Sequence, residues 1–209
     1  MKKLAYLIIL LLFVPTIVFA SSFDITADKV ILYNLNDDTI LYEQNSNEQT
    51  NIASLTKIMT ALVAIENIDD YDEYVTITAK DFEGTNGYSK AGFSIGDQVT
   101  YRDLLYGILL PSGADAVNAI VNNTLGYDAF IDAMNNKAQE IGLENTSFSN
   151  PVGKDATDNY STASDIAKLL KYALQNELFK EIFTTKEYTT SNGINLECTL
   201  YPYKDILDI

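Results

Sequence analysis

Ile52-Ala53-Ser54-Leu55-Thr56-Lys57-Ile58-Met59-Thr60-Ala61 opens a segment in which Ile58, Ala61, Leu62 and Ile65 recur at helical spacing. One face is therefore apolar, which predicts a core helix ending near Asn67. Ser54 stands at its start and admits two readings. It either caps the helix by satisfying an orphan backbone N–H, or it is a nucleophile with the Lys57 amine in reach on the same face, three residues on. The chain contains no histidine. A Ser-His-Asp triad is thereby excluded, and a serine nucleophile here must be activated by lysine or a carboxylate. An ordinary lysine, with a pKa near ~10.4, is neutral in fewer than about one molecule in a thousand at pH 7. Lowering that pKa by about three pH units costs roughly 4 kcal/mol, and burial against Ile58 and Leu62 is an available source.

Outward from this segment the chain alternates strand and helix signals. Upstream, Val30 to Leu35 and Thr39 to Glu43 flank the turn Asn36-Asp37-Asp38 and read as a hairpin. Downstream, Tyr74 to Thr78 reads as a strand, and the glycine-containing stretch Gly84 to Gly96 as a loop bordering a cleft. Thr100 with Asp103 three residues later is a variant of the capping box and starts a helix through Leu110. Pro111-Ser112-Gly113 interrupts it before a new helix from Ala114 to about Asn123. Pro and Gly there either punctuate two core helices or hold Ser112 on a corner facing a cleft, near backbone N–H groups able to receive an anion. An amphipathic helix follows over Tyr127 to Ile141, closed by Gly142, and then an extended loop over Asn145 to Asn159. Ser161 to Asp165 caps a helix through Leu174, Leu178 to Phe183 adds a helical turn or two, and Ser191-Asn192-Gly193 marks a last hairpin.

The 209 residues, 47% of them hydrophobic, suit one globular domain or a domain with a small extension. Residues 1–20 stand apart: Lys2 and Lys3, the apolar run Leu4 to Phe19, and the ending Val18-Phe19-Ala20. They read as a secretory signal peptide cleaved after Ala20, the alternative being an uncleaved N-terminal anchor. Without Lys2 and Lys3, 12 basic side chains face 29 acidic ones, a formal charge of −17. That balance argues against nucleic acid as a partner. Cys198 is the only cysteine, which excludes an internal disulfide, and the absence of histidine argues against a zinc site. No metal and no cofactor is expected.

Three further stretches join Ile52–Ala61: Leu109-Leu110-Pro111-Ser112-Gly113-Ala114-Asp115-Ala116; Met134-Asn135 with Leu143 to Phe148; and Tyr160-Ser161-Thr162-Ala163 with Asp165. In order and spacing they make residues 24–209 resemble the serine-type D-alanyl-D-alanine carboxypeptidases (peptidase S11), the low-molecular-mass penicillin-binding proteins of bacterial cell-wall metabolism. The resemblance implies an α+β, β-lactamase/transpeptidase-like fold, a helical cluster with an antiparallel sheet. It implies that Ser54 attacks the carbonyl between the two terminal D-alanines of a peptidoglycan stem peptide and that Lys57 accepts the serine proton. Ser112 would relay a proton to the leaving amine, and the Ser54 N–H would supply part of an oxyanion hole, where one donor is typically worth ~3–4 kcal/mol. β-Lactams would acylate the same serine, and the protein would act outside the cytoplasm, on the cell-wall or membrane-surface side.

The chain departs from the family pattern twice. Ala114 stands where the Ser-x-Asn element usually carries asparagine; Asn118, one helical turn on, either replaces it in part or is a plain helix-surface residue. No Lys-Thr-Gly occurs anywhere, and the chain stops at Ile209, about where the strand carrying that element is expected. The expectation is a C-terminally truncated catalytic domain over 21–209. Its sheet would be incomplete, its N-terminal hairpin short of partners, its substrate-binding residues unassigned and its C-terminal membrane anchor absent. Two alternatives accompany it: a catalytically impaired or inactive peptidoglycan-binding homologue, and a class A-type β-lactamase. The latter needs a deacylating glutamate, and Asn145–Asn159 contains none.

Overall fold

The apolar periodicity after Ser54 becomes helix α1, Thr56–Glu66, and ten of its eleven residues are buried. A computed structural model describes residues 25–199. The expected signal segment and the last ten residues lie outside that range. Around α1 stand α2 (Tyr101–Leu109), α3 (Ala114–Asn123), α4 (Tyr127–Ile141), α5 (Ala163–Ala173) and α6 (Glu177–Phe183), and α1 touches all five. Met59, Leu62 and Val63 of α1 share one contiguous apolar core with Leu104, Ile120, Phe130, Met134, Leu169 and Phe179.

Local chemistry sets the helix ends. Thr100 and Asp103 form the expected capping box of α2, with Thr100 Oγ1 accepting from Asp103 N at 3.1 Å and Asp103 Oδ2 from Thr100 N at 2.8 Å. Thr162 caps α5 by accepting from Asp165 N at 3.0 Å. Asp103 also binds the last hairpin, accepting from the Tyr188 hydroxyl at 2.9 Å and from Ser191 Oγ at 2.6 Å. The Tyr106 and Tyr188 rings stack above it with centroids 3.7 Å apart. A short 3-10 turn over Ala79–Phe82, without an apolar period of its own, is an element the sequence patterns did not indicate.

The strands pair off in twos, all antiparallel: β1 (Val30–Asn34) with β2 (Thr39–Gln44), β3 (Thr50–Asn51) with β6 (Tyr160–Ser161), β4 (Tyr74–Thr76) with β5 (Gln98–Thr100), and β7 (Glu187–Thr189) with β8 (Asn195–Glu197). The β1–β2 hairpin pairs with no further strand among the described residues, and Leu32, Ile40 and Leu41 stand exposed on it. The smallest pair matters for the site. By pairing Thr50 with Ser161 and Asn51 with Tyr160, it ties the chain just before Ser54 to the end of the long 145–159 loop.

Candidate active site

The chain enters α1 through a 3-10 turn, Ala53–Leu55, which contains Ser54. The residue that precedes α1 is Leu55, and no side chain caps either the turn or the helix. The capping reading of Ser54 therefore gives way to the other: its Oγ accepts a hydrogen bond from Lys57 Nζ at 3.3 Å. Ser54 is exposed, whereas Lys57 is only 3% exposed. Burial brings the Lys57 pKa down from 10.5 to about 8, so roughly one amine in ten is neutral at pH 7. Ile58 and Leu62, on the apolar face expected to supply that desolvation, are themselves buried.

The second partner of Lys57 comes from far along the chain. Its Nζ donates to the Val152 carbonyl at 2.7 Å, and Thr60, one turn on, donates to the Pro151 carbonyl at 2.7 Å. Asn159 donates to Thr56 Oγ1 at 3.2 Å. The loop over 145–159 is thus fastened to the polar edge of α1 through Thr56, Lys57 and Thr60. Contact is closest at Gly153, where φ is +83° and an added Cβ would collide with the Ala53 carbonyl. Only glycine fits there, on grounds of both space and conformation.

Ser112 lies on the predicted corner between α2 and α3, and its φ is +60°. Among the described non-glycine residues with positive φ, Asp38 and Asn45 are of types that accept this conformation, while Ala53 and Ser112 are not. Backbone strain therefore falls on the turns that carry the two predicted serines. Ser112 Oγ is buried and forms no hydrogen bond among the described residues. The corner is held by Gly113 N donating to Gly107 O at 2.9 Å and Ala114 N donating to Ser89 O at 2.8 Å. Buried Asp115 accepts from Ala91 N at 2.7 Å and Gly92 N at 3.3 Å, which pins the glycine-containing loop against the corner.

Ser54 and Lys57 are brought into contact, whereas no hydrogen bond joins Ser112 to either. Asn118 does not fill the place of the missing asparagine. Its amide donates to the carbonyls of Asp81 at 3.1 Å and Glu83 at 3.0 Å, tying α3 to the 3-10 turn. The sequence reading missed Thr56, Thr60, Asp115 and the Val152 carbonyl. Only the dipeptide Asn150-Pro151, a turn signal, pointed toward the last of these. Among the described residues no group of three or more Cys, Asp or Glu is arranged to hold a metal ion, and no helix is long and apolar enough to cross a membrane. Chemically, the arrangement offers an exposed hydroxyl beside a buried amine that is partly neutral near pH 7.

Solved structures place this architecture in the transpeptidase-like α+β class. The chain matches the crystal structure of the Streptomyces K15 DD-transpeptidase with a TM-score of 0.74 at 33% identity, over 84% of this chain and 73% of that one. It matches penicillin binding protein 5 from Haemophilus influenzae with a TM-score of 0.79 at 26% identity, over 89% and 56%. The family model for D-alanyl-D-alanine carboxypeptidase, Peptidase_S11, matches residues 16–203, and the chain belongs to that family. Curated relatives include D-alanyl-D-alanine carboxypeptidase DacF of Bacillus subtilis (strain 168), 34% identical over 170 residues, 79% of this chain and 44% of the relative. The D-alanyl-D-alanine carboxypeptidase of Streptomyces sp. (strain K15) is 36% identical over 166 residues, 75% and 57%. The chain thus spans about half the length of these two relatives.

Proposed function

We propose that this chain carries the nucleophile site of a serine-type D-Ala-D-Ala carboxypeptidase that removes the terminal D-alanine from peptidoglycan stem peptides outside the cytoplasm. Residues 1–20 serve as the export signal and 21–209 belong to the catalytic domain. The observation that carries the reading is the Lys57 amine, buried, lowered in pKa to about 8 and 3.3 Å from Ser54 Oγ.

The neutral Lys57 amine takes the Ser54 proton as Oγ attacks the carbonyl between the two D-alanines, forming a tetrahedral intermediate. Collapse of the intermediate breaks the peptide bond. Ser112, strained and with its hydroxyl uncommitted, gives its proton to the departing amine of D-alanine and takes in exchange the one held by Lys57, which returns Lys57 to the neutral amine. An ester on Ser54 remains, and water attacks it with Lys57 again as base, releasing the shortened peptide and restoring the hydroxyl. A β-lactam is opened by the same attack. An impaired homologue is a second reading supported by the placement of Asn118, whose amide is spent on the carbonyls of Asp81 and Glu83, so that no asparagine from α3 is supplied in place of Ala114.

Intact mass after incubation with a penicillin tests the proposal. The expected result is a single penicilloyl adduct on wild type and none on Ser54→Ala, with a labelling rate that climbs with pH and levels off above about 8. Folded wild-type protein that takes up no adduct sinks the carboxypeptidase reading in favour of the impaired homologue.

A further inference from the structure

We propose that Asn150 is the positioning residue for the Lys57 amine, holding it at Ser54 through the Val152 carbonyl. The inference rests on Lys57 acting as the base of Ser54, and it concerns how this chain aims that base without a side-chain amide from position 114.

The Lys57 amine has two hydrogen-bond partners among the described residues, Ser54 Oγ and the Val152 carbonyl, and it faces no carboxylate within ion-pair distance. A neutral amine has two N–H bonds and one lone pair. When one N–H is committed to Val152, the lone pair can be turned on the serine proton, so the position of that carbonyl decides the aim of the base. Val152 lies on a loop with no regular secondary structure, and what fixes it is local.

Asn150 is buried, and its side chain fills the inside of the bend. Oδ1 accepts from Gly153 N at 2.8 Å and Lys154 N at 2.7 Å, while Nδ2 donates to Lys154 O at 2.9 Å. An asparagine that folds onto the backbone after it in this way substitutes for a regular turn. These three bonds close residues 150–154 so that the inner N–H groups face the carboxamide and the carbonyls of Pro151 and Val152 face α1. Thr60 meets the first and Lys57 the second, both at 2.7 Å. The absence of a side chain at Gly153 lets the bend press against Ala53 and Ser54. Thr60 fixes the distance between loop and helix, and Asn150 fixes which way the Val152 carbonyl points.

The test compares Asn150→Ala, Asn150→Asp and Asn150→Ser with wild type in the full chain. Two readouts are used: β-lactam acylation as a function of concentration, and the NMR signal of Lys57 in protein labelled with 13Cε-lysine, assigned by its loss in Lys57→Arg. A misaimed catalytic group typically costs up to about 100-fold in rate. Asn150→Ala is therefore expected to lower the acylation rate at saturating β-lactam about 30-fold, to leave the half-saturating concentration within about twofold, and to shift or broaden the Lys57 signal. Asn150→Asp keeps an oxygen to accept from Gly153 N and Lys154 N but loses the Nδ2 donor to Lys154 O, and it is expected to recover the rate to within about fivefold of wild type, with Asn150→Ser between the two. If Asn150→Ala does not fold, the Ser and Asp variants carry the same comparison. Folded Ala or Ser variants with wild-type rates and an unmoved Lys57 signal overturn the proposal, as does a loss confined to the half-saturating concentration. Wild-type protein that is not acylated at Ser54 defeats the proposed function instead. The Lys57 signal then decides the positioning claim alone, and an unchanged signal in Asn150→Ala or Asn150→Ser overturns it.

Discussion

Helix α1 and the β1–β2 hairpin are both rich in aliphatic residues and are treated oppositely by the fold. In α1, Met59, Leu62 and Val63 are at most 1% exposed, and even Lys57, Thr56 and Thr60 are enclosed. On the hairpin Leu32 is 54% and Leu41 61% exposed. Between the hairpin, the turn that leads into α1 and helix α5 runs an apolar groove of about 660 Å³, lined among others by Val30, Leu32, Leu55, Ile166 and Leu170. Ser54 lies at the junction, one residue before Leu55. The difference teaches that stability and the candidate site share one element, while the hairpin is an appendage on which changes cost little. The polar groups of α1 are satisfied by a distant loop, so α1 is sensitive on its polar edge as well as its apolar face.

The largest effect is expected at the centre of the enclosed region. Leu62→Ala empties part of the core and is predicted to lower unfolding stability by about 3–4 kcal/mol, read from the urea midpoint. Gly153→Ala forces loop and turn apart. It is predicted to cost about 2 kcal/mol and to abolish β-lactam labelling in protein that still gives a native near-UV spectrum. Lys57→Met has the opposite sign. Because burial lowers the Lys57 pKa to about 8 from 10.5, the folded state holds fewer protons than the unfolded state between these values, and wild-type stability rises with pH across that window. Below pH 8 the charged lysine costs roughly 3 kcal/mol, offset by about 1 kcal/mol from its bond to Val152. The variant is predicted to be about 1–2 kcal/mol more stable at pH 7, with the gain shrinking between pH 8 and 10.5. The smallest effect belongs to the hairpin: Leu41→Ser is predicted to stay within about 0.5 kcal/mol of wild type. A thermal scan showing a larger loss would mean that the hairpin is not an appendage.

What the sequence made legible was what short stretches decide for themselves. Thr100 with Asp103, Thr162 with Asp165, and Gly142 each end a helix through contacts within a few residues, so the pattern carries the answer. The Ser54–Lys57 pair is equally local, and the family resemblance rested on such stretches. Contacts across the chain stayed hidden. Nothing in the composition of residues 145–159 announces that Val152 meets a lysine 95 positions earlier, because the contact uses a main-chain oxygen that every residue type possesses. The positive φ of Ala53 and Ser112 was hidden as well, since neither residue type favours it and the surroundings impose it. Asn118 was visible, but its two carbonyl partners lie in and directly after a 3-10 turn that had left no periodic trace.

The stacked pair Tyr106 and Tyr188 has a practical consequence. The chain has no tryptophan, so its near-ultraviolet circular dichroism comes from tyrosine and phenylalanine, and fixed packing is what gives such rings a signal. Two phenol rings 3.7 Å apart and parallel to within 1°, one on α2 and one on the last hairpin, make a built-in optical gauge. Detachment of β7–β8 from the helical body is reported by that band while the far-ultraviolet helix signal persists, so release of the hairpin can be timed separately from melting of the core.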